Sequence, residues 1–151
     1  MTPADHHTLA RKLEYLRQQL DTLEPYRALP KDELLSTIER RFAVERMLEL
    51  SIQSVIDCSR LLVSVEDWRP LRDERDALLL LAEREVIPSD LADRLLKAKG
   101  VRNILVHDYV AIEPDLLVQH LRHDVEDLHA FARHLAQHLR DGDSRDKMLR
   151  A

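Results

Sequence analysis

Residues 121–139 read LRHDVEDLHAFARHLAQHL. Leu121, Val125, Leu128, Ala132, Leu135 and Leu139 recur at alternating spacings of four and three. At about 100° per residue such a series stays on one side of an α-helix, whereas a half-buried strand would alternate at every second position. Charged residues and histidines fill most of the gaps, so the segment predicts an amphipathic helix that buries one stripe. The same rhythm appears near the N-terminus, where Thr2-Pro3 supply an N-cap and a first-turn proline ahead of Leu9, Leu13, Leu16, Leu20 and Leu23. Pro25 to Pro30 reads as a connection. A long helix from about Lys31 to Ser64 follows, with Leu34, Ile38, Phe42, Leu48, Ile52, Val55, Ser59 and Leu62 as its expected buried side.

A break at Val65–Pro70 leads to a shorter helix, about Leu71 to Arg84, that contains Leu78, Leu79, Leu80 and Leu81 in succession. Four consecutive leucines span too wide an arc for one small core, so some are expected to face a partner subunit. Ile87-Pro88 opens a further helix running to about Tyr109, and Pro114 begins the last one. Short connections between long helices predict an all-α, up-and-down antiparallel bundle of about five helices. Residues 1–140 form the expected domain, and the polar, unpatterned segment 141–151 is expected to be a disordered tail.

Composition agrees. The chain has 151 residues, two glycines, six prolines and one cysteine, enough for one domain with its own core and few helix breakers. Cys58 lies inside a helical pattern and has no second cysteine to pair with, so it is expected to be a reduced, buried small hydrophobe in a cytoplasmic protein. No signal peptide or membrane-spanning run is expected. A formal net charge of −5 does not mark a nucleic-acid binder, but Arg94, Lys97, Lys99 and Arg102 form a local basic run without intervening acids. Such a run is either a solvated helix face or a phosphate-attracting patch.

That run leads into Arg102-Asn103-Ile104-Leu105-Val106-His107-Asp108-Tyr109. On a helix, Arg102 and Tyr109 are seven apart and fall within roughly 20° of each other, while Asn103 and His107 are four apart and share a neighbouring face. Ile104, Leu105 and Val106 are apolar and would anchor the segment in a core. Arginine gives bidentate hydrogen bonds to phosphate oxygens, and histidine moves protons near neutral pH. Gly100, two residues earlier, is either a tolerated helix glycine or a place for close approach by another helix or a ligand's phosphates. The histidine pairs His120/His123 and His134/His138 have spacings that could chelate a metal, but both flank an apolar stripe among charged neighbours, and no metal or cofactor is expected. Glu45 and Asp57 on the long helix could point toward a cleft or serve in caps and ion pairs.

The stretch Lys99 to Tyr109, the preceding Ile87-Pro88 with Leu91, the following Glu113-Pro114 and the Glu39–Leu62 helix resemble the HepT family, the HEPN-domain toxins of nucleotidyltransferase-linked toxin–antitoxin pairs. The resemblance covers about Leu9 to Leu139, and its Arg, four residues, His, any residue, Tyr pattern is intact. It implies a homodimer whose two motif copies meet near an interface cleft, and a metal-independent endoribonuclease acting on RNA. It also implies a minimal nucleotidyltransferase antitoxin that transfers AMP from ATP to Tyr109. Arg102, Asn103, His107 and Tyr109 are then the expected catalytic residues, with Tyr109 also the modification site. A different class stays open beside it: a helical binding module that docks the nucleotidyltransferase and serves as its target without cutting RNA. A metal-binding bundle is a third reading.

Overall fold

A computed structural model describes residues 1–107 and 113–151, apart from the side chains of Arg102 and residues 104–107. The helices among the described residues are α1 (Pro3–Arg27), α2 (Lys31–Leu34), α3 (Ile38–Val65), α4 (Asp76–Glu83), α5 (Ser89–His107) and α6 (Pro114–Arg150). The all-α expectation holds, with six helices rather than about five.

α1 starts in a capping box: the Asp5 amide donates to Thr2 Oγ1 at 3.1 Å and the Thr2 amide to Asp5 Oδ2 at 2.9 Å. Its five-leucine stripe is fully buried. Pro25, expected in a connection, lies inside the last turn of α1. That turn is held from outside, because Arg27 donates to the Arg122 carbonyl at 3.0 Å and to Glu126 at 2.8 Å.

The expected 31–64 helix is split. Thr37 is extended, and its Oγ1 accepts from the Arg40 amide at 3.1 Å, so α3 begins with its own N-cap. Leu34, Leu48, Ile52, Val55, Ser59 and Leu62 are buried as expected, but Ile38 and Phe42 are 62% and 57% exposed. The six residues from Phe42 to Leu48 turn the helix by about 600°, which puts Phe42 off the stripe. Val44, not Phe42, opens the buried side.

The helix expected from about Leu71 starts later, at Asp76, as α4. Asp76 is almost fully buried and takes both Arg69 terminal nitrogens at 2.6 and 3.0 Å, the Arg72 amide at 2.8 Å, and the Arg72 guanidinium at 2.9 and 3.2 Å. The Arg69 and then the Arg72 hydrogen bonds hold its carboxyl well below the usual carboxylate range. This cluster ties Arg69 and Arg72 to the start of α4, in a connection whose Trp68 and Leu71 pack against the core. Within the leucine run, Leu78, Leu80 and Leu81 are buried and only Leu79 is open to solvent. α4 packs against both α3 and α5, which takes up three of the four leucines, and Leu79 is the one left at the surface, where some of the run was expected to face a partner.

α6 carries the segment that opened the sequence reading, and all six stripe residues are buried. The segment 141–151 departs from expectation, since the helix continues through it to Arg150 with exposed side chains. Ser144 bonding back to the Arg140 carbonyl, Gln137 to Asp141, and His6 reaching Asp143 at 3.4 Å tie the first part of the extension down.

Cross-helix pairs fix the directions. Arg27 meets Glu126 and His129 meets Glu24, whereas His6 meets Asp143, so α1 and α6 are antiparallel. Ser54 bonds Gln19 at 3.1 Å, Glu66 sits 3.8 Å from His138, and Arg94 bonds Asp127 at 2.9 Å. α1 and α5 therefore run one way and α3 and α6 the other, in the expected up-and-down order. α1 and α5 each pack between α3 and α6. Cys58 is buried in this core, and burial pushes its thiol up to about 12, which keeps it protonated and unreactive.

Candidate active site

Residues 102–107 of the motif fall in the last two turns of α5, at the bundle end where α6 begins and where α2 and the start of α3 lie. Leu91, Ala92, Leu95, Ala98 and Val101 are buried, and position 102 follows Leu95 by seven and Ala98 by four. By helical register Arg102 thus continues the core stripe. Asn103 is half-buried beside it, and His107 closes the described helix four residues on. Tyr109 lies outside the described residues, as do the side chains of Arg102, Ile104, Leu105, Val106 and His107.

The entry to α6 is built by Glu113, whose carboxylate accepts from the Asp115 and Leu116 amides at 3.2 and 3.1 Å. On α3, Arg41 donates to Glu45 at 3.0 Å, and both are largely shielded. Glu45 therefore stands at the motif's end of the bundle as half of an ion pair. Asp57 does not: it accepts from Gln53 at 2.8 Å and lines a groove of about 400 Å³ between α1 and α3, beside Arg11, Lys12 and Tyr15.

The basic run is more neutral than its sequence suggests. Arg94 bonds Asp90 at 2.8 Å and Asp127 at 2.9 Å, and Lys99 bonds Glu74 at 2.9 Å. Lys97 is exposed. Lys99 is only 8% exposed, a burial that the sequence reading of a solvated face or patch missed. Gly100 is exposed, and a Cβ built on it meets no described atom within 4 Å, so no described helix approaches it closely.

The other histidines divide as follows. His120 Nδ1 lies 3.1 Å from Asp124, whose carboxyl burial raises while His120 pulls it back. His138 faces Glu66, and His123 and His134 are exposed. Among the described residues no group of three or more potential ligands is arranged to hold a metal ion. No described helix is long and apolar enough to cross a membrane.

An antiparallel helical bundle carrying an Arg-x4-His-x-Tyr pattern at the end of α5 defines a protein of the HEPN class. A family model described as Ribonuclease HepT-like matches residues 16–135. The chain belongs to the HepT-like ribonuclease family. It is 28% identical over 115 residues to a tRNA nuclease HepT of Aphanizomenon flos-aquae, covering 76% of this chain and 78% of that one. It is also 40% identical over 60 residues to an mRNA nuclease HepT of Shewanella oneidensis, 40% of this chain and 45% of the relative. Its fold is similar to that of the tri-AMPylated Shewanella oneidensis HEPN toxin solved in complex with an MNT antitoxin. The TM-score is 0.71 at 21% identity, with 91% of this chain and 99% of that one covered.

Proposed function

We propose that the chain is the toxin of a toxin–antitoxin pair, a cytoplasmic, homodimeric endoribonuclease that cuts RNA without a metal ion or cofactor. Its partner is a minimal nucleotidyltransferase antitoxin that neutralises it by modifying Tyr109. Residues 1–140 form the functional domain. The observation that carries this reading is the placement of Arg102, Asn103 and His107 on the last two turns of α5 in a chain of the HepT-like family.

RNA supplies its own nucleophile, so a metal is not required by the chemistry. A base removes the 2′-OH proton, the 2′-oxygen attacks the adjacent phosphorus, and the 5′-oxygen leaves with a proton from an acid. The products are a 2′,3′-cyclic phosphate and a free 5′-hydroxyl. One chain offers one motif histidine for these two proton transfers, and a two-fold dimer brings a second copy's His107 to the same substrate. Arg102 binds the phosphate and stabilises the charge that grows on the phosphorane. Asn103 orients His107 or donates to a phosphate oxygen, and Tyr109 holds the substrate by hydrogen bonding or base stacking. In neutralisation the Tyr109 oxygen attacks the α-phosphorus of ATP and pyrophosphate leaves. The AMP adds bulk and negative charge where RNA would bind.

The test is cleavage of a broad RNA panel in EDTA by wild type and His107→Ala, with the Tyr109 state read by intact mass. Cleavage by unmodified wild type that disappears in the variant is the expected result. If unmodified wild type leaves the panel intact, the nuclease assignment fails and the binding-module reading replaces it.

A further inference from the structure

We infer that Lys99 forms a second phosphate subsite next to the motif, taking the RNA phosphate that flanks the one cut, with Glu74 as its resting counter-ion. The inference rests on the nuclease reading above and deepens it.

Lys99, Asn103 and His107 are spaced by four residues and make one i, i+4 row along α5. Lys99 is also three residues before Arg102, and side chains three and four apart on a helix are surface neighbours. The row that ends in the proposed proton-transfer residue therefore begins with a cation. By helical rise Lys99 stands roughly 12 Å along the axis from His107 but only about 4.5 Å from Arg102. That separation suits a neighbouring phosphate rather than the reacting one.

The surroundings of Lys99 are unlike those of a solvated lysine. Its side chain is 11% exposed, and its ammonium meets a Glu74 carboxylate oxygen at 2.9 Å. Withdrawing an ammonium from water is costly unless an anion stays close. Glu74 is 67% exposed and sits on the connection between α3 and α4, not on a helix. Exposed carboxylates are held weakly in such pairs. Lys99 is thus a shielded cation fixed on a helix, and its carboxylate partner reaches it from solvent. A phosphate oxygen arriving from the solvent side can take the place of Glu74 Oε2 without leaving the lysine unpaired at any stage.

The experiment measures binding of a fluorescent single-stranded RNA oligonucleotide by anisotropy, in a His107→Ala background so that the RNA survives. Salt is varied from about 50 to 200 mM. Each phosphate contact adds about 0.7 to the slope of log affinity against log salt for single strands. Lys99→Met is expected to reduce that slope by about 0.7 and to weaken binding on the order of tenfold. Lys99→Arg is expected to keep the parent slope, and Glu74→Gln to bind more tightly than the parent. A Lys99→Met protein that is helical by circular dichroism and keeps the parent slope overturns the subsite. Should Lys99→Met fail to fold, Glu74→Gln decides: tighter binding supports the exchange, and unchanged or weaker binding overturns it. If the parent binds RNA, failure of these variants removes the subsite alone. If the parent binds no RNA, the nuclease reading falls and the subsite falls with it.

Discussion

Replacing Gly100 by alanine asks whether this glycine is there for the helix or for something that approaches it. Gly100 sits inside α5, two residues before Arg102, in helical conformation and with no positive φ. A Cβ at this position meets no described atom within 4 Å, so the substitution introduces no clash with the described residues. What remains is backbone entropy and helix propensity, which favour alanine by about 0.5–1 kcal/mol in a helix interior. For a chain of this length about 1 kcal/mol moves the melting temperature by roughly 2–4 °C. Gly100→Ala should therefore melt roughly 1–4 °C above wild type by circular dichroism and cut RNA at the wild-type rate. A lower melting temperature would refute the argument from helix propensity and open space. A raised melting temperature with cleavage lost would refute the other half, because no described part of the chain reaches the new methyl group, whereas a phosphate or a second copy resting on the glycine would.

Three further outcomes are expected. Leu80→Ala should destabilise by about 2–5 kcal/mol and Leu79→Ala by less than about 1 kcal/mol in urea unfolding, because Leu80 is fully buried and Leu79 is 39% exposed; equal effects would contradict the placement of α4. The Asp76 carboxyl is held low by Arg69 and Arg72, so its stabilising contribution is present above the unfolded value near about pH 4 and is lost as pH falls through the folded one. Asp76→Asn should thus melt below wild type at neutral pH, with the gap narrowing in acid; a gap that widens in acid would reverse the assigned sign. Arg102→Leu should fold with a melting temperature at or above that of wild type while losing RNA cleavage, and a variant that unfolds would contradict the register given to position 102.

The sequence made the bundle readable where one helix face meets one core. The stripes of α1 and α6 are legible because each runs several turns at uninterrupted four-three spacing. It misled where a local polar device overrides periodicity. Thr37 as an N-cap splits the long helix, and the six-residue step from Phe42 to Leu48 carries Phe42 off the buried side. The buried Asp76 with its two arginines delays the start of α4 and could not be seen, since its partners lie in a stretch without periodicity. For the site, the residue types and spacing on α5 were legible, and the neutralisation of Arg94 and Lys99 was not. Asp127 and Glu74 come from other elements, 33 residues later and 25 earlier than their partners in the chain.

The physical signature of the site is a conflict between levels. Along α5 the register of Leu91, Leu95 and Ala98 calls for another apolar residue at position 102, and the chain places an arginine there. A turn earlier it buries a lysine that a leucine could replace with less desolvation. Packing argues against these choices, and a sequence shaped by stability alone would not keep two cations within one turn at these positions. Such violations are expected where a protein gives up stability to hold a charged ligand. The helical register that buries Leu91, Leu95 and Ala98 places position 102 in line with the core stripe and positions 99, 103 and 107 on one neighbouring row.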